Sequence, residues 1–571
     1  MKNGFCWSGL WSILKGYWQS SERGWAFRVL AVLLILTIGN VYMAVLLNKW
    51  RNSFYDALQN YESAAVLSEL YRFIVLAAIV ISMAVYSFYL EQLLALRWRR
   101  WMTENLIDSW TKDENFYHLQ VFDKYTDNPD QRISEDVRLF VSLAMKFTVG
   151  LLNAGAIFVC FVAILWELSG IIEFTVWGVE FRLPGYVVWV AFIYSAIGTW
   201  LTHRVGRKLV GYNVDQQRYE ADFRYSMMRI RENSESVALY GGGAGEGRNI
   251  KRRLYLLIDN FQKILRTEKH LTGIKSGYFQ MGNIFPVLVA APRYLIKEIT
   301  LGGLMQTAQA FTRVHRGLSY FLELYTSFAE WGAVIRRLDG FNQALLRAQN
   351  SRPKSGLVRH IHRNGYVEAR NLDINLPHSD TLLQAINFIL QPGRNALIKG
   401  PNGSGKSSLL RTIAGIWPFA QGEITTPPAG ELMFLAQRNY LPLGTLRDIL
   451  LYPDGIPRDE EELLDSLEQC GIGHFARYMD IQADWYQVFS QGEQQRLALA
   501  RALIHKPVWL FLDESTSAMD EESEQAMYSL IARKLPDTTV ISVGHRSTLE
   551  QFHLQELRIG GKEKAVVQRT L

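Results

Sequence analysis

At 571 residues, with 49% hydrophobic and 20% charged side chains, the chain is too long for one ordinary domain and should divide into two or more. A net charge of +6 is modest for this length and sits in loops beside apolar blocks, which argues for a membrane surface and against nucleic acid as partner. Cys6, Cys160 and Cys470 are far apart and show no metal-ligand spacing, which argues against a disulfide scaffold or a zinc site.

Residues 1–28 carry Lys2, Lys15, Arg23 and Arg28 against a single acid, Glu22, while Trp7, Leu10, Trp11, Leu14 and Trp18 recur at helical spacing. This predicts an amphipathic helix lying in the membrane interface. A cleaved signal peptide fits less well, because the next apolar block is too long and no small-residue cleavage site precedes it.

Residues 29–340 read as a six-helix transmembrane domain. Val29–Asn48, Phe73–Leu90, Phe147–Trp166 and Leu183–Thr202 are uncharged and approach the roughly 20 residues a spanning helix needs. Two weaker blocks, Ser276–Pro292 and Ile299–Thr312, complete the set. Arg97, Arg99 and Arg100 follow span two, and His203, Arg204, Arg207 and Lys208 follow span four. The loop after span three holds Glu167, Glu173 and Glu180 against Arg182. By the positive-inside rule both termini and both long loops face the cytoplasm. Those loops, about 97–146 and 203–275, read as helices continuing out of the membrane. In the first, Asn128-Pro129-Asp130 initiates a turn, and the polar run from Thr126 to Asp136 suits docking against another domain.

Arg313, His315 and Arg316 fall well inside the bilayer by position, and Arg293 stands near the outer end of span five. Ionisable groups at that depth are costly and tend to face a water-filled path, so these four are the candidate substrate cavity. The competing reading places span six elsewhere and leaves its charges in the cytosol.

Residues 341–356 form a linker ending in the polar run Ser351–Gly356, and 357–571 alternate short strands with helices, as an α/β nucleotide fold does. Gly400, Pro401, Asn402, Gly403, Ser404, Gly405, Lys406, Ser407 and Ser408 have the spacing of a phosphate-binding loop, with a strand before and a helix after. Loop amides would wrap the phosphates of ATP, Lys406 would reach the outer ones, and the Ser407 hydroxyl would hold Mg²⁺. Gln437 follows an apolar strand and could reach Mg²⁺ and the attacking water. Ser490 and Gly492 open a helix and offer a hydroxyl and an amide to a phosphate. Asp513 and Glu514 end a buried strand, suited to Mg²⁺ contact and to polarising water. Ser517-Ala518-Met519-Asp520 follows, and His545 ends another strand. An isolated histidine there is more often a satisfied core residue, but six such pieces in this order leave little room for coincidence.

The order is similar to that of the ABC ATPases, and the resemblance covers the whole chain. Ile416-Trp417-Pro418, Gly444-Thr445-Leu446-Arg447-Asp448, Asp484-Trp485 and Gly544–Leu549 followed by Phe552-His553 resemble subfamily D. That branch holds peroxisomal acyl-CoA half-transporters and bacterial relatives of YddA type, which look like ATPase-fused versions of the SbmA/BacA peptide carriers. The resemblance implies an exporter-like (type IV) helical domain fused to an ABC ATPase domain. It implies that Lys406 and Ser407 bind ATP and Mg²⁺, that Gln437 and His545 contact the γ-phosphate side, and that Glu514 is the catalytic base. Ser490 and Gly492, with Glu493 and Asp520 beside them in the nucleotide-binding set, would close over ATP held by a second subunit. One phosphate loop and one closing motif then imply a homodimer with two composite sites. Phe489 replaces the usual leucine of the closing motif, and Leu376 stands where an aromatic commonly stacks on adenine. The expected function is ATP-driven transport across a bacterial inner membrane, with the ATPase domain in the cytoplasm and import of peptides or other hydrophilic solutes. The alternatives are an acyl-CoA or lipid-like substrate, export, and a membrane-anchored regulatory ATPase.

Overall fold

The computed structural model describes residues 7–122, 128–176, 179–351, 356–362, 365–377, 381–560 and 566–570. They form two compact units, one of residues 1–106 and 128–340 and the other of 107–127 and 341–571.

The first unit is built on six long helices: α1 (Arg23–Gln59), α2 (Ser63–Thr111), α3 (Pro129–Ser169), α4 (Tyr186–Glu232), α5 (Gly243–Leu295) and α6 (Leu301–Ser351). Among the described residues, α1 to α4 are long and apolar enough to cross a membrane. The helices α5 and α6 carry more polar residues; the weak block at 276–292 lies within α5, and 299–312 lies in α6 but for its first two residues. Span four begins later than the apolar run suggests. Val179–Pro184 (β2) pairs antiparallel with Ile171–Val176 (β1), and Gly185, at φ +65°, turns the chain into α4 at Tyr186. The two long loops are largely helical: α2 runs to Thr111, α4 to Glu232, and α5 starts at Gly243.

The N-terminal helix, Trp7–Trp18, buries Leu10, Ile13 and Tyr17 against Trp98 and Phe140, with Tyr17 stacked on Trp98 at 5.3 Å. Leu10 thus belongs to the core, whereas Trp7 and Trp11, at 67% and 69% exposure, face outward. The sequence stripe merges these two faces because Leu10 is one position, about 100° of turn, from Trp11, and Ile13 and Tyr17 continue the apolar arc beyond Leu10.

A ladder of polar contacts joins the end of α1 to the start of α6. Asn48 and Asn52 donate to the backbone and side chain of Gln306 at 3.2 and 2.7 Å, Asp56 accepts from the Gly302 amide at 2.9 Å, and Gln59 accepts from Leu301 at 2.7 Å. The Asp56 carboxylate therefore satisfies a free amide at the helix N-terminus and opposes its positive end. A Cβ at Gly302 would collide with the Asn52 carbonyl and with Asp56. Gly302→Ala is expected to cost about 1–3 kcal/mol by forcing the two helices apart, read as a lowered unfolding midpoint of the detergent-purified chain. An unchanged midpoint would mean that this contact yields without cost.

Asp136, on α3, is 2% exposed and lies between two arginines. Arg132 reaches it at 2.8 Å, and Arg337 of α6 grips both carboxylate oxygens at 2.9 and 2.5 Å. The helix is wound into a π turn over Arg132–Asp136, which sets Arg132 and Asp136 on one side of it.

In the second unit, a parallel sheet has the order β12-β11-β6-β10-β9-β8. Its strands are β6 (Ala396–Lys399), β8 (Leu432–Leu435), β9 (Trp509–Asp513), β10 (Thr539–Val543), β11 (Gln555–Ile559) and β12 (Val566–Thr570), the last antiparallel to its neighbour. Near-continuous apolar runs such as Trp509–Leu512 bury both faces, as a covered parallel sheet requires. A second sheet, in the order β3-β7-β4-β5, comprises β3 (Leu357–Ile361), β4 (Val367–Asn375), β5 (Thr381–Leu390) and β7 (Ala420–Thr426). Helices α7 (Lys406–Ala414), α8 (Gln491–His505) and α9 (Glu521–Lys534) complete the parts that matter for the site.

The short helix Asn115–Phe122 belongs to this unit, with Phe122 edge-on to Phe419 at 5.1 Å. Docking was expected from the polar run 126–136. Thr126 and Asp127 lie outside the described residues, while Asn128–Asp136 is part of the first unit. The aromatic residues just before that run make the contact seen here.

Candidate functional site

Parallel strands deliver their loops to one edge, and a ligand site is expected outside their carboxyl ends. The loop after β6 holds residues 400–405 and runs into α7. Gly405 takes φ +101°, open only to glycine, and a Cβ at Gly400 would strike the Ile559 carbonyl. The result is a tight turn whose amides and helix N-terminus face one point, the arrangement that favours a bound phosphate. Lys406 is held by carbonyls of its own loop, Gly400 at 2.9 Å and Pro401 at 3.1 Å, and donates to His545 Nε2 at 3.2 Å. Because that nitrogen accepts, its ring proton belongs on Nδ1.

The remaining groups come from the neighbouring strands. Gln437, after β8, donates to Glu514 at 3.2 Å, and His545, after β10, lies 3.6 Å from the same carboxylate. Glu514 has φ +50°, a left-handed conformation costing about 1–3 kcal/mol in a residue with a side chain. Its amide is pinned to the Val543 carbonyl at 3.2 Å, which maintains the turn and aims the carboxylate toward Gln437 and His545. Asp513 accepts from the Ser407 hydroxyl at 3.2 Å. Burial pushes the Asp513 carboxyl above the usual carboxylate range, the Ser407 hydrogen bond opposes this, and the neighbouring Glu514 charge adds to the rise. A hydroxyl and a half-buried carboxylate are hard oxygen donors, and among the described residues no cation forms an ion pair with Asp513. Their chemistry fits Mg²⁺, with Ser407 and Asp513 as the residues to hold it.

Elsewhere in this unit, Ser490 caps α8. Its hydroxyl accepts from the Glu493 amide, and the Glu493 carboxylate takes the Ser490 amide at 2.8 Å and its hydroxyl at 2.7 Å. Burial would raise the Glu493 carboxyl, but these Ser490 bonds hold it below its ordinary value. Gly492 has open space where a side chain would stand, with only the Ala518 carbonyl nearby at 3.8 Å. Asp520 caps α9 through the Ser523 amide, and the Ser523 hydroxyl together with that amide lowers its carboxyl.

Sequence reasoning missed Arg501, buried on α8, which donates to the Ile449 carbonyl at 2.7 Å and the Tyr440 carbonyl at 2.9 Å. It thereby fixes the segment that follows Gln437. An arginine in the otherwise apolar run Leu497–Ile504 was the available signal.

In the first unit, the four candidate cavity residues have different surroundings. Arg293 donates to the Leu168 and Ser169 carbonyls at 2.8 Å each and pairs with Glu298 at 3.0 Å, closing the end of α3 against α5. His315 is buried; its Nδ1 lies 3.1 Å from Ser195 Oγ and 3.2 Å from the Tyr278 hydroxyl. Tyr194 and Tyr278 stack at 4.6 Å beside it. Arg313 lies half-buried over the Phe161 ring at 5.9 Å, and Arg316 is exposed. Ser195, Tyr194 and Tyr278 were not foreseen, since single polar residues in apolar helices carry no spacing signal.

The ABC transporter transmembrane region 2 family matches residues 13–295, and the ABC transporter family matches 383–517. A Haemophilus influenzae protein described as an uncharacterized ABC transporter ATP-binding protein is 35% identical over 97% of this chain and 92% of its own length. The Escherichia coli inner membrane ABC transporter ATP-binding protein YddA is 31% identical over 94% of each chain. The human lysosomal cobalamin transporter ABCD4 is 28% identical over 95% of this chain and 92% of its own. A bacterial Atm1-family ABC exporter with ATP bound shares the fold, with a TM-score of 0.73 over 95% of this chain and 96% of that one at 16% identity.

Proposed function

Because this chain belongs to the ABC transporter family, in which ATP hydrolysis is coupled to transport, we propose that it acts as a homodimeric half-transporter importing hydrophilic solutes such as peptides. The convergence of Lys406, Gln437, Glu514 and His545 at one sheet edge, in a chain that also carries six long helices, supports this reading above any other observation.

In this proposal residues 400–408 cradle the phosphates, and Ser407 and Asp513, with Gln437, hold Mg²⁺, whose positive charge offsets that of the phosphates. Glu514 takes the proton from water, positioned by Gln437, and His545 lies on the γ-phosphate side. Ser490, Gly492, Glu493 and Asp520 serve the ATP of the partner subunit, so neither site is complete in one copy. The ATPase unit works in the cytoplasm of a cell whose inner membrane holds the helices. The relationship to the YddA protein of an inner membrane and to a protein named for cobalamin, a polar solute, supports both placement and cargo class. Polar and charged side chains deep in α6 support a wet path.

The test is accumulation of dye-labelled peptides spanning a range of net charge, in cells expressing the wild-type chain or Glu514→Gln. Uptake that requires Glu514 is the expected result. Equal signal in both cells for every peptide would overturn peptide import and leave export, or an acyl-CoA-like cargo, as the reading to pursue.

A further inference from the structure

Arg313 and Arg316 lie one turn apart on α6; Arg313 sits over Phe161 of α3, and Asn48 and Asn52 of α1 fasten to Gln306, two turns earlier on α6. Arg313 lies along α6 about 18 Å from its start, at 1.5 Å per residue, near the middle of a hydrocarbon layer about 30 Å thick. Arg316 is one turn further on and exposed. Arg51 is carried by α1 in the stretch that Asn48 and Asn52 fasten to Gln306 of α6. Gln306 precedes Arg313 by about 10 Å along α6, so Arg51 and Arg313 are near enough for their charges to interact away from bulk water. Among the described residues, no carboxylate forms an ion pair with any of the three. The one ring contact, Arg313 over Phe161, leaves the charge in place.

This arrangement is unfavourable on its own. A single arginine at bilayer depth costs at least about 2.5–3.5 kcal/mol, and like charges near one another add to it. Structural arginines in this chain are treated differently: Arg132 and Arg337 share Asp136, while Arg293 has Glu298 and two carbonyls. A charged group without an ionic partner at this depth needs water and a counter-charge supplied from outside the chain.

We infer that Arg51, Arg313 and Arg316 form an anion-recognition site in the translocation path, so that the solute carried is one bearing clustered carboxylates, such as an acidic peptide, and not a cationic one. The inference rests on the transport reading above and narrows its cargo by charge. Guanidinium forks suit carboxylates in two-point contact, and three of them discriminate by charge as well as geometry. Arg51 lies outside the residues singled out by sequence because it closes an apolar span, where positive residues are commonplace.

The test uses the full-length protein in phosphatidylcholine nanodiscs without nucleotide. Binding of hexaglutamate, hexaglutamine and hexalysine peptides with a charge-neutral dye is read by fluorescence anisotropy. Hexaglutamate should bind tightest and weaken with salt, and Arg313→Gln/Arg316→Gln should loosen it about 10- to 100-fold. Arg313→Lys/Arg316→Lys, which keeps the charge, should retain most of the affinity and guards against misfolding as the cause. Equal binding of the three peptides, or hexaglutamate affinity unchanged in the glutamine variant, would overturn the site. Displacement of hexaglutamate by phosphatidylglycerol added to the discs would reassign the cluster to a lipid headgroup and overturn the solute assignment. Arginine-dependent binding without ATP-driven movement into vesicles would sink the transport reading while the anion site stands. Movement of hexalysine in preference to hexaglutamate would do the reverse.

Discussion

Replacing Glu514 by Gln is expected to lower ATP turnover by about 10²–10⁴-fold while leaving nucleotide bound. The change removes the proton acceptor but little else. Gln437 would keep a side-chain oxygen to donate to, and the Glu514 amide bond to Val543 does not depend on the side chain. Glutamine carries the same burden at φ +50° as glutamate, so the turn is neither relieved nor further strained. Lys406 and the loop amides, proposed to hold the phosphates, are untouched. The variant should therefore hold ATP and stay in a closed dimer, seen as a larger species retaining nucleotide through gel filtration, with phosphate release near background. Turnover at the wild-type rate would remove Glu514 as the base. His545, which faces both Lys406 and Glu514, would be the next group to substitute.

The convergence of Lys406, Gln437, Asp513, Glu514 and His545 was legible because each belongs to a short motif at the end of a strand of one sheet. Glycines at 400 and 405 satisfy local requirements that no other residue meets, and the strands on either side are unbroken apolar runs. Gln437, Asp513, Glu514 and His545 occupy the same place relative to their strands, so one sheet brings them together. The membrane unit was legible only in outline. An apolar run fixes that a helix crosses, but not where it stops, since a helix continues beyond the membrane as long as nothing breaks it. Thus the block at 276–292 and residues 301–312 proved to be short stretches of 53- and 51-residue helices, whereas Leu183 belongs to a hairpin strand ahead of α4. Partners across the bundle were hidden altogether. Asp136 and Arg337 are 201 positions apart, and nothing in their local sequence distinguishes a buried ion pair from two solvated charges.

That pair carries the largest stability effect expected in the first unit. Asp136→Ala would strand two cations at once, Arg132 with a side chain 14% exposed and Arg337 at 38%. Removing one partner of a buried pair typically costs about 3–5 kcal/mol, and the access of water to Arg337 places this case near 3 kcal/mol. Arg337→Ala should cost clearly less, because Arg132 remains on the carboxylate at 2.8 Å. The double variant should then cost less than the two single changes added together, since the second substitution removes one of the charges stranded by the first. Burial alone would raise the Asp136 carboxyl, but hydrogen bonds from Arg337 and Arg132 outweigh it and hold the group below its ordinary value. A depressed folded value means that the contribution is complete above the unfolded value of about 3.9 and fades as pH falls through the folded one. Between pH 5 and 8, Asp136 should therefore give no slope, and its loss should lower the unfolding midpoint by the same amount across that window. Midpoints that fall equally for Asp136→Ala and Arg337→Ala would show that Arg132 contributes nothing, and that a two-residue bridge, not a three-residue node, joins α3 to α6.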